Sequence, residues 1–322
     1  MCHRIPYVTM ESLILNKDKT NYWRVMTTEI NESNLNELLI EKDWYSERYF
    51  HKNVATSFKI KSILHSEKSQ YQKIDVLDTY GVGRLLLLDG KTMVSDHDEF
   101  VYHEVMGHIP SMVHPKIKNV LIIGGGDGGI VREYVKHPEI ERIDLVEIDV
   151  RVIEVSKKYF PDCTSGLSDK RVNVLTQDGV EYIKTHKNFF DVIIIDSTDP
   201  EDFAAGLFTQ EFYKHVSDAL TDNGIMMAQT ENPFYDEYGI KSFYDNLRNV
   251  FPVVKSFTGP MLIYPGVFWT FAFASKGLVP TTLNEFKIPM MKELEKTLKW
   301  YNMDWHKGAF SISNIHKKVT GC

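Results

Sequence analysis

The sequence predicts an α/β chain, a doubly wound parallel sheet with helices on both faces, preceded by a small antiparallel β domain. Two observations carry that expectation. After Pro115, short apolar runs alternate with amphipathic stretches in a strand–helix–strand rhythm, which calls for a parallel sheet covered on both sides. Between about Phe58 and Ser95, β-rich runs are split by turn signals such as Tyr80-Gly81-Val82-Gly83, a pattern that suits hairpins.

Residues 1–40 are polar and weakly patterned, with Asn and Glu clustered in EINESNLNELL, and read as an extension that packs on a neighbour or subunit. Residues 41–115 form the small domain. Its strands are SQYQKIDVLDTY, RLLLLDG and KTMVS, and it closes with the helix DEFVYHEVMGHIPSMVH, whose first-turn acids Asp98 and Glu99 suit the helix dipole. Residues 116–322 form the larger domain. NVLIIG is an apolar run ending in glycines, as a buried parallel strand should be. Helix GIVREYVKH, strand RIDLVEID, helix VRVIEVSKKYF, strand VNVLTQD, helix VEYIKTH, strand FDVIIID, helix TQEFYKHVSDAL and strand GIMMAQT follow in turn. The aromatic, β-branched PVVKSFTGPMLIYPGVFWTFAFASKG adds closing antiparallel strands, and the remainder is a tail.

Composition narrows the class of function. The 322 residues are 43% hydrophobic and 25% charged, ordinary values for a chain long enough to bury a core without staples. A net charge of -7 argues against a nucleic-acid partner. Cys2, Cys163 and Cys322 are scattered and make neither a disulfide framework nor a CxxC metal pair, so a reducing compartment is the default. No apolar run approaches the roughly 20 residues that span a bilayer, and the opening segment does not read as a signal peptide. The expected address is cytoplasmic, with no membrane partner.

The first site signal is NVLIIGGGDGGIVREY followed by RIDLVEID. Gly124, Gly126 and Gly129 fit GxGxxG between a strand and a helix, and Glu147 stands about 20 residues on, where such sheets place a ribose-binding acid. Against a glycine-rich turn with a solvated acid, the combined placement favours a nucleoside site in a Rossmann-like sheet. Asp127 lies inside the glycine loop, where a pyrophosphate would need bare N–H groups; its carboxylate repels phosphate and suits a sulfonium or an amine. Asp178-Gly179 ends the strand VNVLTQD, where the acid could bind an adenine amino group or equally cap the next helix.

The second signal is Asp196-Ser197-Thr198-Asp199-Pro200 at the end of FDVIIID. Two acids three residues apart can face one cleft, and in isolation they would more often be turn chemistry before Pro200. Here they share a sheet edge with the glycine loop and Glu147, which favours a reaction site.

Several runs, in order, resemble the spermidine synthases (polyamine aminopropyltransferases), most closely the bacterial members. They are Tyr71-Gln72, LLLLDG, DEFVYHE, IIGGGDGG, VEID, TQDG, DSTDP and the ending WYNMDWHKGAF, and they cover nearly the whole chain after about Trp44. The resemblance implies a methyltransferase-type Rossmann-like domain behind a small β domain, and transfer of an aminopropyl group from decarboxylated S-adenosylmethionine to a diamine. It implies Asp196 as general base with Tyr102 beside it. It further implies Gln72, Gly124, Gly126, Glu147, Asp178 and Gly179 around the methylthioadenosine portion, and His103 and Asp127 at the amine groups. Asp199, Glu231 and Tyr264 match acceptor-side positions, and Trp44 matches an aromatic that closes the pocket. No metal is implied, decarboxylated S-adenosylmethionine being a co-substrate, and the expected assembly is a homodimer or higher homo-oligomer. The sequence departs from the family at Glu201-Asp202-Phe203-Ala204-Ala205, where relatives carry a Gly-Pro-Ala-like segment, and at the bulky Phe268-Trp269. Competing readings are an amine N-methyltransferase using ordinary S-adenosylmethionine, and a non-catalytic polyamine-binding homologue. The acceptor is putrescine by family default; cadaverine, agmatine or spermidine would need only a different slot length.

Overall fold

The structure, a computed structural model, describes residues 43–49, 53–197 and 206–322. The expected N-terminal extension, Asp199 and the departing segment 201–205 lie outside the described residues. The first sheet has five strands in chain order: β1 (Trp44–Tyr49), β2 (Val54–Lys68), β3 (Lys73–Thr79), β4 (Arg84–Leu88) and β5 (Lys91–Ser95). The pairs β2–β3, β3–β4 and β4–β5 are antiparallel. The sequence reading expected only short strands here, yet β2 runs 15 residues. Its polar and apolar residues alternate, so one side can face water, and register shifts after Ile60 and Ile63 let so long a strand bend along its partner.

After the sheet comes α1 (Glu99–Val113), followed by β6 (Asn119–Gly124), α2 (Gly129–Tyr134), β7 (Arg142–Glu147), α3 (Val150–Tyr159), β8 (Val172–Thr176), α4 (Gly179–Lys184) and β9 (Phe190–Asp196). Then come α5 (Gln210–Ala219), β10 (Leu220–Gln229), α6 (Glu237–Arg248), β11 (Val253–Pro260) and β12 (Phe268–Ser275). The second sheet has the order β11-β12-β10-β9-β6-β7-β8. β10, β9, β6, β7 and β8 run parallel, while β12 joins β10 and β11 joins β12 antiparallel. Alternate residues of the central strands feed two separate cores. Val120, Ile122, Val192 and Ile194 pack beneath α1 and α2, while Leu121, Ile123, Ile193 and Ile195 pack beneath α4, α5 and α6. Burial on both faces explains the unbroken apolar runs; each such side chain contributes about 1.5–3 kcal/mol.

The small sheet is gripped on both faces. Ile74, Val76, Leu86 and Leu88 pack on Val152, Val155 and Phe160, while Leu77, Leu85 and Leu87 cluster with Ile263. Asp98 makes no side-chain cap to α1; its carboxylate accepts instead from Ser95 Oγ (2.6 Å) and the Leu262 N–H (2.8 Å), tying the sheet to a distant loop. The tail is helical, with α7 (Ile288–Leu294), α8 (Met303–Ala309) and α9 (Asn314–Thr320) folded back on the core through Met291, Ala309 and Val319. Among the described residues no helix is long and apolar enough to cross a membrane.

Candidate active site

The strand order sets where a ligand can bind. From β6 the chain steps outward to β7 and β8, then returns to β9 on the other side of β6. The crevice opens at the carboxyl ends where the order reverses. The register pairs Gly124 with Asp196 across that switch point. The Gly125 N–H donates to the Asp196 carbonyl (2.9 Å), and a Cβ on Gly124 would lie 1.9 Å from that same oxygen. With φ at +80°, Gly124 also occupies a left-handed conformation that L side chains rarely adopt. The glycine run therefore lets the two strand ends close on each other, besides leaving room for a ligand.

A cavity of about 660 Å³ lies at this edge. In its floor Tyr102 Oη donates to Asp196 Oδ1 at 2.7 Å. Burial, reinforced by the negative charge of Asp127, pushes the Asp196 carboxyl up to about 7, while burial raises the Tyr102 phenol well above its ordinary value. Asp127 accepts from the Gly129 N–H (2.8 Å) and faces His103 Nε2 (3.1 Å). Burial opposes its charge, but the His103 cation more than offsets that and lowers its pKa. His103 turns its other nitrogen, Nδ1, to Glu99 (2.5 Å), so neither ring nitrogen points freely into the cavity. Glu99, His103 and Cys163 are close enough to suggest a metal cluster, but Glu99 is also forked by Arg132 and burial raises the Cys163 thiol.

The sheet side of the cavity carries Glu147, Asp178, Gly179 and Gln72. Glu147 is buried; burial and neighbouring Asp149 push it up to about 7 against the N–H groups of Asp149 and Gly126. Asp178 caps α4 by accepting from the Val180 N–H (2.7 Å), and it also lines the cavity. Gln72 is tied by Nε2 to Asp149 (3.1 Å), which also accepts from Ser69 Oγ (2.6 Å) and caps α3.

The opposite wall holds Glu231 and half-buried Tyr264, whose hydroxyl donates to the Met93 carbonyl at 3.0 Å. Of the bulky pair, only Trp269 faces inward. It donates Nε1 to Gln229 and sets its ring edge-on to Tyr264 at 4.8 Å, whereas Phe268 packs on His316. The sequence reading missed Glu47, Asp98, Tyr49 and Tyr235, which also line this wall. Glu47 is held in place by the Thr92 N–H (3.0 Å) and hydroxyl (2.6 Å). Asp98 stands inside DEFVYHE, which could have flagged it; a lone Glu47 carries no local signal. Trp44 opens β1 and is 36% exposed.

A Rossmann-like sheet with an acid at the end of β7, an acid in its glycine loop and a carboxylate of near-neutral pKa at the switch point suits a nucleoside-dependent transferase. A family model described as "Spermine/spermidine synthase domain" matches residues 99–285, and one described as "Spermidine synthase tetramerisation domain" matches residues 43–96. The chain belongs to the spermine/spermidine synthase family. A polyamine aminopropyltransferase of Alkaliphilus metalliredigens is 44% identical over 277 residues, spanning 85% of this chain and 96% of that protein. One from Thermotoga petrophila is 43% identical over 279 residues, 86% and 94% of the two chains. A solved spermidine synthase in complex with the transition state analogue AdoDATO superposes with TM-score 0.83 at 41% identity, covering 89% of this chain and 99% of that one. The Thermotoga maritima spermidine synthase gives 0.81 at the same identity and coverage.

Proposed function

We propose that this chain transfers the aminopropyl group of decarboxylated S-adenosylmethionine to putrescine, giving spermidine and methylthioadenosine, with Asp196 as general base. The observation that carries the mechanism is the Asp196 carboxylate, held by Tyr102 and tuned to near neutrality where the glycine-loop wall meets the acid-bearing wall. The relatives' activity, polyamine aminopropyl transfer, supports the reaction class.

A diamine nitrogen has a pKa near 10, so about one in a thousand is neutral at pH 7, and freeing its lone pair costs about 4 kcal/mol. Asp196 takes that proton as attack proceeds, and a base with pKa near the working pH is best suited to do so. The nitrogen forms a bond to the methylene beside the sulfonium, the C–S bond breaks, and its electron pair leaves with sulfur as neutral methylthioadenosine. Positioning two reactants in line can supply on the order of 7–11 kcal/mol. In this reading Glu147 accepts from the ribose hydroxyls, while Asp178, Gly179 and Gln72 enclose the adenosine. Asp127 receives the donor's amine, and Glu231, Tyr264 and Asp199 receive the diamine. Trp44 keeps its resemblance-based role as a closing aromatic.

We read residues 41–115 and 116–322 as the two working parts and the chain as a cytoplasmic enzyme. We also read it as a homodimer or higher homo-oligomer; the name of the family model over residues 43–96 and the exposed Ile63 and Leu64 on β2 support self-association.

The test incubates purified protein with putrescine and either decarboxylated or ordinary S-adenosylmethionine, followed by mass spectrometry. Spermidine and methylthioadenosine from the decarboxylated donor alone are expected. Methylated amine from the ordinary donor would replace this reading with an N-methyltransferase. Ligand binding with no product from either donor, across a panel of amines, would replace it with a binding protein.

A further inference from the structure

His103 is 2% exposed, and both of its nitrogens meet carboxylate oxygens, Glu99 Oε2 at 2.5 Å and Asp127 Oδ1 at 3.1 Å. A neutral imidazole has one donor and one acceptor nitrogen, so it would set a lone pair against one of these oxygens. With both carboxylates ionised, only the doubly protonated ring satisfies both, and Asp127 is held to its ionised form by the His103 cation and the Gly129 N–H. Glu99 cannot relieve the conflict by taking up a proton, because Arg132 grips it bidentately, Nη1 to Oε1 at 2.9 Å and Nη2 to Oε2 at 2.8 Å. Arg132 is fixed along its remaining edge, where Nε donates to buried Glu133 at 2.8 Å. A Cβ on Gly129 would stand 2.2 Å from the His103 ring, so the last glycine of the loop motif makes room for this pair.

We infer that Glu99 and Arg132 are positioning residues for the transfer: clamped to each other, they fix His103 as an imidazolium that orients Asp127 toward the donor's amine. This rests on the proposed role of Asp127. The charges alternate along the row, Asp127 negative, His103 positive, Glu99 negative and Arg132 positive, so the assembly is neutral before the cationic donor arrives. Other groups facing His103 are Asp196 from β9, Tyr102 on its own helix and the Cys163 thiol. Burial opposes the ring's charge, but Asp127 and Glu99 together raise its pKa to about 10, so the native row holds its charge through the neutral range.

Removing the Glu99 charge takes away one of the two carboxylates that hold the proton on His103, and lets His103 lose that proton at lower pH. In Glu99→Gln the KM for decarboxylated S-adenosylmethionine should stay within a few-fold of the native value at pH 6, where His103 is still an imidazolium, and rise about tenfold above it toward pH 9 as His103 becomes neutral and no longer orients Asp127. A merely structural role would impair the variant equally at every pH. Imidazole nitrogen NMR of the full chain, with His103 assigned by its loss in His103→Gln, gives an independent reading. The native His103 signal should not titrate between pH 6 and 9, whereas that of Glu99→Gln should. If Glu99→Gln does not fold, Arg132→Lys serves: it keeps the charge but loses the fork, and should raise the donor KM a few-fold with His103 still charged. A native His103 that titrates near neutrality, a pH-independent Glu99→Gln defect, or an Arg132→Lys donor KM equal to the native value would overturn the inference. Absence of aminopropyl transfer by the native chain would instead count against the proposed function, and the NMR result would stand apart from it.

Discussion

The two walls of the cavity are built differently. On the wall proposed to hold the donor, Gly124, Glu147, Asp178 and Asp196 stand at or just beyond the carboxyl ends of β6, β7, β8 and β9, neighbours in one sheet. Their spacing follows from the register of parallel strands. On the wall proposed to hold the diamine, Glu47 is fixed by Thr92, Asp98 by the Leu262 N–H, and Tyr264 by the Met93 carbonyl, each across a long stretch of chain. A sheet edge gives one wall a rigid frame, while the other is stitched from segments that only the fold brings together. Changes on the donor wall should therefore act on donor binding or on chemistry, and changes on the acceptor wall on the diamine.

The sharpest way to break this division is Asp196→Asn, where the walls meet. It keeps the shape but removes the base, and kcat should fall about a thousandfold while the donor dissociation constant, measured by calorimetry, stays within a few-fold. Turnover near the native value would remove Asp196 from the mechanism. Glu147→Gln should raise the donor KM about thirtyfold, the scale of a lost charged hydrogen bond, and leave the diamine KM unchanged. Equal rises in both constants would erase the distinction between the walls.

The pH profile sharpens it further. Asp196 works as the carboxylate and its pKa is pushed up to about 7, so kcat should drop as pH falls through that value, by about tenfold per unit below it. Glu147 is raised to about 7 as well, and its protonation in the same window should appear in the donor KM rather than in kcat. A kcat flat down to pH 5 would contradict the assigned base. The smallest effect belongs to Tyr264→Phe, which removes one hydroxyl bonded to a carbonyl. The diamine KM should rise about fivefold and the donor KM should not move.

The sequence by itself determined the doubly wound sheet, the glycine loop and the acids at its strand ends. These signals are local: a strand buried on both faces shows as an apolar run, and the residue that follows it must lie on the ligand edge. It was less informative about β2, whose mixed composition hides a long one-sided strand, and about the tail, whose helices of seven residues are too short to show a period. Tertiary structure alone decided which partners each cavity acid meets. Asp98 and Glu99 read alike as first-turn acids, yet one ties down the loop at Leu262 and the other pairs with His103 and Arg132. Asp149, in the sequence no more than the last residue of VEID, holds Gln72. Carboxylates are chemically interchangeable in a sequence. Their roles are set by desolvation and by the donors that folding places beside them, over separations no local pattern records.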